Sequence, residues 1–275
     1  MALLDVTGRH LARYLTRPRP GIAQVSTCPP EKLKSTLKPG DVLLIEGSSR
    51  LSAAIKYLTQ SCWSHAALYV GDVLGPPGPG EDAKVLIEAD INDGVRAVPL
   101  SEYSGLHTRI CRPVGLSSKE INSLIADVVR RIGHQYDLKN VLDLMRYLIQ
   151  TPPVPVRWRR RMLAFGSGDP TRAICSSLIA QAFQSMGYPI LPDISLEKSS
   201  DKSCANCYKE ILHIKHHSLF APRDFDVSPY FQVVKPMIEQ GFDPHKVTWH
   251  AQAERNRAGR RELRRTGGQR AGDDL

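Results

Sequence analysis

Nowhere does the chain hold the run of roughly 20 apolar residues that a membrane-spanning helix requires, which excludes a helical membrane protein. Cysteine is scarce as well: six thiols in 275 residues are too few for a disulfide scaffold. The first 19 residues carry Arg9, Arg13, Arg17 and Arg19 but no continuous apolar core and no small-residue cleavage site. No secretory signal is read there, and the expected setting is a cytoplasm that keeps thiols reduced. The basic balance comes without a nucleic-acid recognition motif or a regular aromatic platform, so a specific nucleic-acid partner is not expected.

What is present is the composition of a globular domain, 41% hydrophobic and 24% charged, with a formal net charge of +9. That length is ample for one core. Three segments are expected: a basic amphipathic stretch over residues 1–37, a catalytic domain over 38–250, and a basic tail over 251–275 with almost no apolar residues. In the first stretch Leu3, Leu4, Leu11 and Leu15 lie among basic residues before Pro18 and Pro20. A second basic run, Arg157, Trp158, Arg159, Arg160 and Arg161, precedes Met162, Leu163 and Phe165. It reads as a lid or a contact with an anionic surface, or as a solvated loop whose arginine stems cover apolar surface. Interleaving of arginine with Leu, Trp, Met and Phe points to an anionic membrane surface as a peripheral contact.

Chemistry concentrates in two short segments. From Ile174 onward, apolar residues recur at Leu178, Ile179, Ala182, Phe183 and Met186, one face of a helix that Gly187 ends. Cys175 then sits in the first turn, where unpaired backbone N–H groups and the positive end of the helix dipole favour a thiolate and offer oxyanion donors. The alternative for a single cysteine is a buried thiol acting as a small hydrophobe. Upstream, residues 65–70 read as a mostly buried strand that opens on His65 and ends at Gly71. A second strand over residues 85–89 turns Glu88 to the face opposite Val85, Ile87 and Ala89. If the strands pair, Glu88 orients the imidazole of His65; the other partner for Glu88 is an arginine such as Arg96.

The remaining cysteines carry weaker signals. Cys28, Cys62 and Cys111 have no supporting motif, although Cys62, three residues before His65, is the runner-up nucleophile. Cys204 and Cys207, followed by His213, His216 and His217, have the ligand types of a zinc site. The spacing from Cys207 to His213 is far shorter than in a finger, and the segment between reads as a strand, so a simple thiol pair near a loop is the expectation. Elsewhere, Ser117 and Glu120 form a capping box that opens a helix along Ile121, Leu124, Ile125, Val128, Val129 and Ile132, before Gly133.

The order Gly40-Asp41-Val42-Leu43-Leu44, Ser64-His65-Ala66-Ala67-Leu68-Tyr69-Val70-Gly71, Ile87-Glu88-Ala89, Tyr136-Asp137 and Cys175-Ser176-Ser177-Leu178-Ile179-Ala180 resembles the circularly permuted papain-like hydrolases of the NlpC type, and within them the YiiX/YebB-like group. In that branch the histidine strand precedes the cysteine helix, as it does here. The run Ala221-Pro222-Arg223-Asp224-Phe225-Asp226-Val227-Ser228-Pro229-Tyr230-Phe231 is similar to the group's closing segment, so the resemblance spans about residues 38–235. It implies an α+β fold in which an antiparallel sheet packs against the helix that begins at the nucleophilic cysteine. It also implies Cys175 as nucleophile, His65 as base and Glu88 as the residue orienting His65. The family's tyrosine near the nucleophile has no counterpart among Ser176, Ser177 and Leu178, which leaves the second oxyanion donor open. The implied activity is acyl transfer on an amide, ester or thioester without a cofactor. An acyl-lipid or acyl-peptide is the expected substrate, and an inactive binding module is the alternative.

Overall fold

The computed structural model describes residues 14–18, 26–134, 174–198, 208–213, 216–217 and 220–247, with the backbone alone for 174–175, 196–198 and 208–211. Cys204 and Cys207, residues 136–137, residues 157–161 and the stretch 251–275 lie outside them. Two compact units are present, Met1–Pro236 and Met237–Leu275.

In the first unit a helix, α1 (Pro30–Thr36), leads into the strand β1 (Val42–Glu46) and a second helix, α2 (Arg50–Thr59). Three strands follow, β2 (His65–Tyr69), β3 (Lys84–Asp90) and β4 (Gly94–Pro99), then a 3-10 turn, Leu100–Tyr103, and β5 (His107–Pro113). Helices α3 (Ser118–Val129) and α4 (Ile174–Ser185) come next, then the hairpin strands β6 (Asp193–Lys198) and β7 (Tyr208–His213), helix α5 (Pro222–Asp226) and strand β8 (Phe231–Val234). Six strands join in the order β4-β3-β2-β1-β5-β8, each pair antiparallel, while β6 and β7 pair with each other. The mixture of helices with an antiparallel sheet is the α+β architecture expected from the sequence.

Central β1 explains the layering. Its run Val42, Leu43, Leu44, Ile45 has no polar face, and all four side chains are buried. Alternation sends Val42 and Leu44 to one side with Ala66, Leu68, Ile87 and Ala89, where α3 and α4 supply Leu124, Val128, Leu178, Ile179 and Phe183. Leu43 and Ile45 go to the other side with Ala67, Leu86, Val98 and Ile110, covered by Leu33 and Leu37. Each of these side chains contributes roughly 1.5–3 kcal/mol by leaving water.

Most local signals act as read, but α3 ends at Val129, and Ile132, expected on its packed face, lies beyond the helix and is exposed. Ser117 and Glu120 cap α3 reciprocally: the Ser117 N–H donates to the Glu120 carboxylate at 2.8 Å and the Glu120 N–H to the Ser117 hydroxyl at 3.3 Å. Beyond α4, Gly187 takes φ +71°, a left-handed value that glycine adopts at little cost, and the helix stops there. Of the N-terminal stretch, Leu15 is buried, the Arg50 guanidinium lies 4.4 Å from the Tyr14 ring, and Pro18 bridges to Ser49. In the hairpin His213 bonds Ser195 at 2.7 Å, and the His216 and His217 rings lie 4.1 Å apart. Residues 237–247 of the second unit hold the 3-10 turn Pro244–Lys246, opened by Asp243, which accepts from the His245 N–H at 2.9 Å.

One buried ion pair ties β1 to β5. Asp41, 1% exposed, accepts from Arg112 at 2.8 and 2.7 Å and from the Lys38 N–H at 2.8 Å, while Arg112 also reaches the Thr36 carbonyl at 2.9 Å. Asp41→Ala strands the guanidinium, and the expected loss is about 3–5 kcal/mol in urea denaturation.

Candidate active site

β2 begins where the chain is pinned twice. The Ser64 N–H donates to the Ile45 carbonyl at 3.1 Å, and the buried Ser64 hydroxyl accepts from the Gly47 N–H at 2.9 Å. A Cβ on Gly47 would stand 2.3 Å from the Ser52 hydroxyl, so this close approach of the backbone requires glycine. His65 follows, directly across from Ile45, and shares a face with Ala67 and Tyr69.

On β3, Ile87 and Ala89 turn towards the helices and Glu88 turns the other way. Its carboxylate is 1% exposed. Three donors converge on it, Nε2 of His65 and the Tyr103 hydroxyl at one oxygen and Nε of Arg96, at 2.9 Å, at the other, where Nη2 of Arg96 also stands in ion-pair contact at 2.7 Å. Arg96 is the cross-strand partner of Glu88 on β4 and is itself held by Glu102 at 2.6 Å and Asp93 at 3.4 Å. Tyr103, from the 3-10 turn, is 9% exposed, and its ring centroid lies 6.0 Å from that of His65.

These contacts fix the charge state. Burial alone would raise the Glu88 pKa, but the charge of His65, the bonds from His65 and Tyr103, and the charge of Arg96 outweigh it and bring the value down to about 2. Burial, then the Glu88 charge, pushes Tyr103 well above its ordinary value, so the phenol stays a neutral donor. For Arg96, burial opposes the cation and Glu88 more than compensates. An ionised carboxylate only accepts, so Nε2 of His65 carries the proton and Nδ1 is the basic nitrogen of the neutral ring.

Cys175 is the second residue of α4. The helix packs on β2 and β3 through Leu178, Ile179 and Phe183, while Ser176 next to the cysteine donates to the Phe220 carbonyl at 2.7 Å. The apolar contacts of α4 lie on the face carrying Ala66 and Ile87, whereas His65 and Glu88 leave on the opposite face. The structure brings His65 and Glu88 together; the Cys175 side chain lies outside what it describes.

Residues 36–147 match the family model of the permuted papain-like amidases, the YaeF/YiiX or C92 family. This segment is similar to that family. It contains β2, β3, His65 and Glu88, and ends before Cys175. Among solved structures, the chain is similar to the metalloprotein YiiX from Escherichia coli O157:H7, with 18% identity over 72% of this chain and 96% of that one and a TM-score of 0.42. No curated protein matches the chain. Among the described residues, no helix is long and apolar enough to cross a membrane.

The six-stranded sheet carries a second histidine–carboxylate pair that sequence reasoning did not single out. His107 on β5 faces Glu46 on β1 across the sheet and bonds it through Nδ1 at 3.1 Å, with Lys56 at 3.0 Å on the same carboxylate. The His107 ring lies 4.9 Å from that of buried Trp63, whose indole N–H donates to Asp226 at 2.9 Å; Arg109 bonds Asp226 at 2.7 and 2.9 Å. Beside it the Cys62 thiol is exposed, and its pKa is raised, by burial of part of the group and then by the Glu46 charge, which makes it a poor thiolate. Burial raises Cys28 and Cys111 too. Tyr103 was also missed, because a tyrosine in a short turn after β4 has no periodicity or spacing that ties it to Glu88.

Because the Glu88 pKa falls from 4.5 to about 2 on folding, its contribution is full above the ordinary value and is lost as pH drops from 4.5 through about 2. A difference of that size corresponds to roughly 3 kcal/mol. Glu88→Gln is expected to stay folded but to lose about 2–4 kcal/mol at neutral pH. The acid-induced loss between those two pH values should flatten in the variant; chemical denaturation across that range checks both.

Proposed function

We propose that this protein is a cysteine hydrolase in which Cys175 is the nucleophile, His65 its base and Glu88 the residue that orients His65. The observation that carries this reading is the buried, ionised Glu88 on Nε2 of His65, at the start of a strand within an amidase-family segment. An anchored histidine with Nδ1 as its basic nitrogen is the arrangement a general base needs. Cys175 at the head of α4 supplies a thiol where helix N–H groups and the dipole favour the thiolate.

The reaction runs in two halves. Nδ1 of His65 takes the thiol proton, the thiolate adds to the carbonyl carbon, and backbone N–H groups at the helix start bind the oxyanion. Collapse of the tetrahedral adduct expels the amine, alcohol or thiol, which receives the proton from His65 and leaves an acyl-cysteine. Water, deprotonated by His65, then attacks the acyl carbon and releases the acid and the free thiol. The scheme draws on no metal or nucleotide. Apolar residues interleaved with arginine, and the +9 balance, support an acyl-lipid or acyl-peptide substrate met at an anionic membrane surface from the cytoplasmic side.

Incubation with carbonyl-directed probes spanning lipid esters, thioesters and peptide amides, read by intact mass, tests the proposal. Wild type is expected to gain one acyl adduct and Cys175→Ala none, and the preferred probe names the bond. An equal adduct on Cys175→Ala refutes the nucleophile, and no adduct on folded wild type favours a binding module. Alkylation of Cys175 at pH 6 should slow about tenfold or more in His65→Ala and hold its rate in His107→Ala; the reverse would move the base to His107.

A further inference from the structure

We propose that Tyr103 is a positioning residue of this site: its hydroxyl, opposite the Arg96 clamp, holds the Glu88 carboxylate in the one orientation that presents an oxygen to Nε2 of His65. This rests on the reading of His65 as the base.

A carboxylate has about four acceptor positions. At Glu88, Arg96 donates to one oxygen through Nε, with Nη2 in ion-pair contact with the same oxygen, and His65 and Tyr103 fill two positions at the other. Arg96 alone leaves the second oxygen pivoting about the side-chain axis, because both of its contacts end on the same atom. Tyr103 closes that pivot from the opposite side. Its ring is packed in the lower core with Leu43, Ile45 and Leu86, and the turn that carries it, Leu100–Tyr103, contacts β3. The phenol is therefore anchored to the scaffold and not to the site it supports. It is also a donor without charge, so it orients the carboxylate while leaving the attraction between Glu88 and a protonated His65 largely in place.

The charged and titratable groups that surround the pair are His65 on β2, Arg96 on β4, and Tyr103 and Glu102 on the 3-10 turn, with Asp93 and Asp90 behind Arg96. None of the others donates to the oxygen that His65 uses. Loss of the Tyr103 hydroxyl reopens the pivot, so the carboxylate oxygen is less firmly placed at Nε2 and holds the imidazolium less well. His65 should then give up its proton at lower pH.

The test is Tyr103→Phe in the full chain, which retains the ring and its packing. Nitrogen-15 spectra of the His65 imidazole are recorded against pH for wild type, Tyr103→Phe and Glu88→Gln, with Cys175 alkylation rates measured beside them. The expected result for Tyr103→Phe is a fall of about half to one unit in the His65 midpoint, the worth of one hydrogen bond. A fall in the Nε2–H tautomer population and an alkylation rate slowed severalfold near neutral pH should accompany it. Glu88→Gln should move the midpoint the same way and further. A His65 titration in Tyr103→Phe that overlays wild type, while Glu88→Gln shifts it, overturns the role of Tyr103 and leaves the hydrolase reading standing. An alkylation rate indifferent to His65→Ala refutes the hydrolase reading, and the spectra still decide whether Tyr103 positions the pair. Leu100→Ala, which disturbs the packing of the same turn but keeps the hydroxyl, separates a packing defect from loss of the hydroxyl: a His65 midpoint shifted as far in Leu100→Ala as in Tyr103→Phe overturns the proposal.

Discussion

A carboxylate taken almost wholly out of water has to be surrounded by donors, and Glu88 is the place in this fold where that demand is most severe. Meeting it recruits four successive parts of the chain: β2 through His65, β3 itself, β4 through Arg96, and the turn after β4 through Tyr103. The register of the β3–β4 hairpin and the seating of the 3-10 turn are thereby coupled to the protonation of one histidine. Stability and proposed chemistry share a single set of contacts. A site built this way keeps its base aligned without substrate, because the partners are already committed by the fold.

The sheet owes its position to a different constraint. β1 is apolar at every place from Val42 to Ile45, so it has to be covered on both sides. The helices α3 and α4 cover one, and α1 with the β4–β5 connection covers the other. Polar chemistry is pushed to where the strands end, and both histidine–carboxylate pairs lie there: His65 opposite Ile45 and His107 opposite Glu46.

Much of this was legible in the residues. The capping box at Ser117 and Glu120 and the helix periodicity from Ile174 are local signals, and short-range physics decides them. Glu88 was legible as a carboxylate turned away from its apolar neighbours, but its partner was posed as a choice between His65 and Arg96. Both bind it, because a carboxylate offers two oxygens and the strands on either side of β3 each supply a donor. Tyr103 and the His107–Glu46 pair were not legible. Their roles arise from cross-strand register and the docking of a short turn, which no spacing within a single segment encodes.

Trp63 stands two residues before His65, yet its indole N–H is held by Asp226, 163 positions later in the chain. β5 likewise completes its pairing only with β8. During synthesis, this tie between the approach to β2 and α5 therefore forms only after nearly the whole first unit has left the ribosome. The partners of Ser64 and His65 named above lie between residues 45 and 88, so a prematurely terminated product would keep those local contacts and lack the long-range one.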